Sequence, residues 1–109
     1  MDLAHKKCKP CEGGVKPFTR VQAAEYLKAV PGWSISPDGL SMSRHYDFPN
    51  FKRALAYVNT IGAIAESEGH HPDVSLGWGR VDVQLTTHAI HGLSENDFIL
   101  AYKIDNPGS

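Results

Sequence analysis

Residues 66–98 read ESEGHHPDVSLGWGRVDVQLTTHAIHGLSENDF, and the way this stretch divides decides the organisation of the chain. Pro72 disfavours the helical region for the residue before it, so a helix arriving from the N-terminal side must end near Gly69 or His70. Val74, Leu76 and Trp78 then read as a strand. Gly79-Arg80 turns the chain, and Val81, Val83 and Leu85 alternate with Asp82, Gln84 and Thr86 in a second strand with one half-buried face. Ser94 and Asp97 stand at capping-box spacing. They precede Phe98, Ala101, Tyr102 and Ile104, which predict a last helix.

Working outward, Phe51, Leu55, Val58, Gly62 and Ala65 fall on one continuous face of a helix that Asp47 or Asn50 can cap. Before it, Leu40, Met42, Arg44 and Tyr46 alternate with Ser41, Ser43 and His45. The turn residues Ser36-Pro37-Asp38-Gly39 join this strand to a shorter one over Trp33 to Ile35. Thr19 and Gln22 have the spacing of a capping box for a first helix, with Val21, Ala24, Leu27 and Lys28 on its period and Pro31-Gly32 as its stop. The order α-β-β-α-β-β-α predicts an α+β domain: a four-stranded antiparallel sheet with three helices packed on one face. Residues 1–17, rich in Lys, Cys, Pro and Gly and without a period, are expected to be a loosely ordered leader, and residues 18–106 a single domain.

Composition sets the limits. The chain has 109 residues, 41% apolar and 21% charged, with a net charge of −1. This suits one globular domain. No basic stripe of the kind that displaces phosphate counterions is visible, so nucleic acid is not an expected partner. No apolar run approaches the roughly 20 residues of a membrane helix, and the lysines near the N-terminus are not followed by an apolar stretch. Membrane association is therefore not expected, and the cytoplasm is the expected compartment, with Cys8 and Cys11 reduced.

Six histidines are present. His70 and His71 sit at a helix-to-strand junction and His88 at the end of the last strand, where rigid elements hold polar side chains at the mouth of a pocket. Histidine gives or takes a proton near neutral pH, so such a cluster can protonate a leaving group and deprotonate its neighbour. Composition alone leaves these residues open between that role and ordinary surface or core positions.

The stretch from Glu66 to Asp97 resembles the signature of the pterin-4a-carbinolamine dehydratases: an acidic residue, a His-His-Pro triplet, an aromatic six positions after the proline, then His, then Asp. Glu66, His70, His71, Pro72, Trp78, His88 and Asp97 occupy those places. A weaker likeness continues from about Phe18 to Asp105. The resemblance implies dehydration of a tetrahydropterin carrying a C4a hydroxyl, the product of an aromatic amino-acid hydroxylase, to the quinonoid dihydropterin. No electrons move, so neither metal nor cofactor is expected; the pterin is the substrate. By similarity, His70 and His88 form the acid–base pair and His71 holds the substrate. Glu66, one helical turn before His70, is placed to set its tautomer. Pro72 sets the backbone beneath the histidines, Thr86 and Thr87 offer hydrogen bonds to the pterin edge, and Asp97 is either a site residue or only a helix cap. Trp78 is expected in the core, and His45 and His91 in solvent.

Three other readings stand beside this one. His70, His71, His88, His91, Glu66 and Asp73 are all metal-ligand types, but adjacent histidines point in different directions, which disfavours chelation. His5, Cys8 and Cys11 are spaced His-x-x-Cys-x-x-Cys and can contribute three ligands to zinc. Members of the family in animals also serve as dimerisation cofactors of a transcription factor, so a non-catalytic pterin-binding or dimerisation module of the same fold is the alternative function. The family implies a homodimer or homotetramer.

Overall fold

Helix α2, Phe51–Glu68, is the longest element of the fold, and its burial is where the structure departs most from the sequence pattern. In a computed structural model that describes residues 2–9 and 15–108, α2 begins with the Asn50 side chain accepting from the Arg53 N–H. It turns Ala54, Ile61 and Ala65 inward. Phe51 and Leu55, two residues of the predicted core stripe, are 44% and 40% exposed. The helix carries apolar residues around most of its circumference, so periodicity admits two overlapping stripes. The stripe with the small Ala54 and Ala65 lets the helix approach its neighbours closely, and Tyr57, Val58 and Ile64 fill the flanks of the core.

The other elements are α1 (Arg20–Leu27), β1 (Ser34–Ile35), β2 (Met42–Asp47), β3 (Asp73–Gly77), β4 (Arg80–Leu85) and α3 (Glu95–Asp105). The order is the predicted one. Thr19 and Gln22 close the expected capping box of α1. The buried residue of α1 is Ala23, however, while Val21 is 75% exposed. The helix docks through Ala23 with Tyr26 and Leu27 packed against the core beside it, a face that shares only Leu27 with the predicted one.

All strands pair antiparallel, in the order β1-β2-β4-β3. The second hairpin therefore inserts β4 beside β2, with Arg44 opposite Val83 and His45 opposite Asp82. On the face toward the helices, Met42, Val81, Val83 and Leu85 are fully buried, as are Phe98, Leu100 and Ile104 of α3. The other face is polar. Across it, His45 Nδ1 bonds Asp82 Oδ1 at 2.6 Å and Nε2 bonds Asp47 Oδ1 at 2.8 Å.

A knot around Asp105 ties the end of α3 to the sheet: its carboxylate accepts from Trp33 Nε1 (2.9 Å), Arg44 Nη1 (3.1 Å) and Tyr46 OH (2.5 Å). The start of the chain also packs. A 3-10 turn over Leu3–His5 places Leu3, 2% exposed, in the core. The leader expected to be loose is thus docked over residues 2–9, because one apolar side chain and several backbone hydrogen bonds anchor it. Cys11 lies outside the described residues, so the His5, Cys8 and Cys11 motif is seen only in part.

Candidate functional site

The site is built where α2 ends and α3 begins. Gly69 takes a left-handed conformation (φ 66°, ψ 26°), which costs glycine nothing and other residues a Cβ clash. The His70 N–H then reaches back to the Ala65 carbonyl at 3.3 Å, the long bond of a Schellman cap. A helix terminus thereby sets the position of His70.

The His70 ring meets Asp97 on the first turn of α3, with Nε2 2.6 Å from Oδ1. The His70 side chain is 13% exposed and that of Asp97 is fully buried. The other carboxylate oxygen accepts the Ser94 N–H at 3.0 Å and the Thr87 hydroxyl at 2.8 Å. Thr87 Oγ1 also lies 2.8 Å from Ser94 Oγ. A buried carboxylate normally demands several such donors. Here Asp97 is both the reach-back residue of the capping box and the anchor of His70.

His71 points elsewhere: its Nε2 pairs with Glu66 Oε2, and both side chains are solvent-exposed. The sequence reading places Glu66 against His70 at helical i, i+4 spacing. The left-handed Gly69 takes the chain off the helix before His70, so that spacing no longer applies and Glu66 meets the next histidine instead. His88 is exposed, in a 3-10 turn over His88–Ile90 that follows β4. It makes no side-chain hydrogen bond among the described residues. Its chain neighbour Thr87 bonds the same carboxylate that holds His70, which ties the two histidines to one support.

Thr87, expected to face the pterin, and Asp97, open between a site residue and a helix cap, are both committed inward. Thr87 is 3% and Asp97 0% exposed; Asp97 meets His70, and Thr87 bonds Asp97 behind it. Thr86 donates its hydroxyl proton to the Leu40 carbonyl at 2.6 Å, leaving only its oxygen lone pair for a ligand. Pro72 is half-buried after the two histidines. Trp78, expected in the core, is 70% exposed at the tip of the β3–β4 turn, because the tip is tied to the fold through its other residue, Gly79, whose carbonyl accepts the Phe48 N–H at 2.8 Å. His91 has φ 55° and is exposed. Depressions of about 440 Å³ on the open sheet face and about 670 Å³ beside the first half of α2 contain none of the predicted site residues. Sequence reasoning missed the pairing of His70 with Asp97. The available signal was the second carboxylate oxygen, since a capping box occupies only one.

The family model for pterin 4 alpha carbinolamine dehydratase matches residues 16–107. The chain belongs to the pterin-4a-carbinolamine dehydratase family. Among its dehydratase relatives, a Halorhodospira halophila protein named "Putative pterin-4-alpha-carbinolamine dehydratase" is 49% identical over 109 residues, covering all of both chains. A protein of the same name from Azoarcus sp. is 46% identical over 95% of this chain and 89% of its own. Among solved structures, a transcriptional coactivator/pterin dehydratase from Brucella melitensis superposes with a TM-score of 0.79 at 29% identity, covering 86% of this chain and all of that one. A pterin dehydratase-like protein identified as a RuBisCO assembly factor shares the fold, with a TM-score of 0.60 at 20% identity over 72% of this chain and 92% of its own.

Proposed function

We propose that this chain dehydrates 4a-hydroxytetrahydropterin to quinonoid dihydropterin and water by histidine acid–base catalysis. The observation that carries the reading is the His70–Asp97 pair, in a member of this family in which Thr87, the residue before His88, bonds the same carboxylate. In the reaction the C4a–O bond breaks with help from the N5 lone pair. The hydroxyl takes up a proton and leaves as water, and the N5 proton departs to a base, so atoms and charge balance without redox change.

His70 suits the base. With Asp97 Oδ1 accepting from Nε2, the lone pair of the ring lies on Nδ1. His88, exposed and uncommitted, suits the acid, and His71, aligned by Glu66, holds the substrate. A proton relay of this kind is worth about 10²–10⁴-fold. Pro72 and the Thr86 oxygen border the pterin, while Asp97 and Thr87 act through His70. Neither metal nor cofactor enters this scheme. Its place is recycling of tetrahydropterin in the cytoplasm after an aromatic amino-acid hydroxylase. A homodimer or homotetramer would cover the unpartnered Phe51 and Leu55 stripe of α2. No helix among the described residues is long and apolar enough to cross a membrane.

Stopped-flow dehydration of 4a-hydroxytetrahydropterin, with His88→Ala alongside, tests the proposal. The wild-type chain is expected to exceed the uncatalysed rate and the variant to approach it. If both match the uncatalysed rate, the reading fails in favour of a non-catalytic module.

A further inference from the structure

The N-terminal segment lies against the two helix ends that build the site. The Cys8 N–H donates to Glu68 Oε1 at 2.9 Å, on the last residue of α2 and two residues before His70. The other Glu68 oxygen accepts from Lys103 of α3 at 2.8 Å, and the Glu68 side chain is only 6% exposed. Burial opposes its ionisation, but the Lys103 ammonium and the Cys8 N–H outweigh it and hold the Glu68 carboxyl below its usual range.

The contacts on α3 are equally specific. The Asn96 side chain clamps the Lys9 peptide from both sides: Oδ1 accepts the Lys9 N–H at 2.9 Å and Nδ2 donates to the Lys9 carbonyl at 2.6 Å. The Cys8 thiol sits 3.5 Å from the Asn96 carbonyl. Burial first, then the Glu68 carboxylate, pushes that thiol up to about 12, so it packs rather than reacts. Lys6 reaches Glu95 at 2.9 Å, and Tyr26 of α1 donates to the same Glu95 oxygen at 2.6 Å. Glu95 and Asn96 immediately precede Asp97 in the chain.

We infer that residues 2–9 are a positioning strap, which holds His70 against Asp97 by tying the end of α2 to the first turn of α3. Asn96 and Glu68 are its positioning residues. Leu3 in the core fixes one end of the strap and the amide clamp at Lys9 fixes the other. Because catalysis through a hydrogen-bonded pair responds to displacements of about 1 Å, a contact that sets the separation of the two helix ends also sets the rate. The kinetic consequence rests on the proposed dehydration; the positional one does not.

The test compares Asn96→Ala and Lys9→Pro with the wild-type chain. Asn96→Ala removes both bonds of the clamp, Lys9→Pro removes the one from the Lys9 N–H, and both leave Leu3 seated. Exchange of the Cys8 amide by NMR reports release of the strap, and exchange of the His70 ring proton reports the pair. Both protons are expected to exchange at least about tenfold faster, and kcat to fall about tenfold with KM within about twofold, since the strap touches no substrate. Asn96→Asp keeps the acceptor for the Lys9 N–H but sets an oxygen against the Lys9 carbonyl, and is expected to fall between Asn96→Ala and the wild-type chain in both readouts. Faster Cys8 exchange with an unchanged His70 proton overturns the inference, as does no change at either. A wild-type chain with no dehydratase activity would refute the functional reading, while the two exchange rates would still decide the strap.

Discussion

Oδ1 of Asp97 lies 2.6 Å from Nε2 of His70, across the junction between the end of α2 and the start of α3. Oδ2 of the same carboxylate closes a capping box with the Ser94 N–H. One buried side chain therefore serves the fold and the site together. Its two duties are separable by substitution.

Asp97→Asn keeps the size and can still accept from Ser94, but it loses the charge that orients His70. Dehydration is expected to fall about 10- to 100-fold in kcat with little change in KM. Asp97→Ala also leaves the Thr87 hydroxyl and Ser94 N–H without their acceptor, and urea unfolding should show a further loss of about 2 kcal/mol.

His88→Ala should separate activity from stability. The side chain is exposed and holds nothing in place, so unfolding free energy is expected to stay within about 0.5 kcal/mol of wild type. Dehydration should fall by about 10²–10⁴-fold. A large stability loss would mean that His88 has a structural partner.

Gly69→Ala introduces no steric contact, since nothing lies within 4 Å of the added Cβ, but it places a side chain at positive φ. A destabilisation of about 1–2 kcal/mol is expected in thermal or urea unfolding. The rate should fall as well, because the same turn aims His70.

The polar sheet face predicts a pH effect remote from the site. Donating hydrogen bonds to the Asp82 carboxylate, first, and the Asp47 carboxylate raises the His45 imidazole above its ordinary value of 6.5. A raised folded-state value contributes stability that is fully present below pH about 6.5 and fades as pH rises through the raised value. Unfolding of wild type and His45→Gln, compared across that range, should diverge on the acid side and converge above it.

The Asp105 knot predicts a graded series. Tyr46→Phe removes one donor and is expected to cost about 1–2 kcal/mol. Asp105→Ala strands Trp33, Arg44 and Tyr46 together and should cost at least about 3 kcal/mol, measured by urea unfolding.

The sequence alone determined the element order, both strand pairs, the capping boxes of α1 and α3, and the histidine-bearing junction. Each rests on interactions within a few residues: alternation in β4, the hydroxyl of Thr19, the proline after His71. The run from Glu66 to Asp97 also carried the family resemblance, because spacing along a chain is legible without coordinates. Only the tertiary structure decided which stripe of α2 is buried, that Leu3 enters the core, that Glu66 meets His71, and that Asp97 rather than Glu66 holds His70. Those choices depend on close approach between elements distant in sequence. They depend also on one left-handed residue at Gly69, where the chain leaves the helix and local periodicity stops predicting direction.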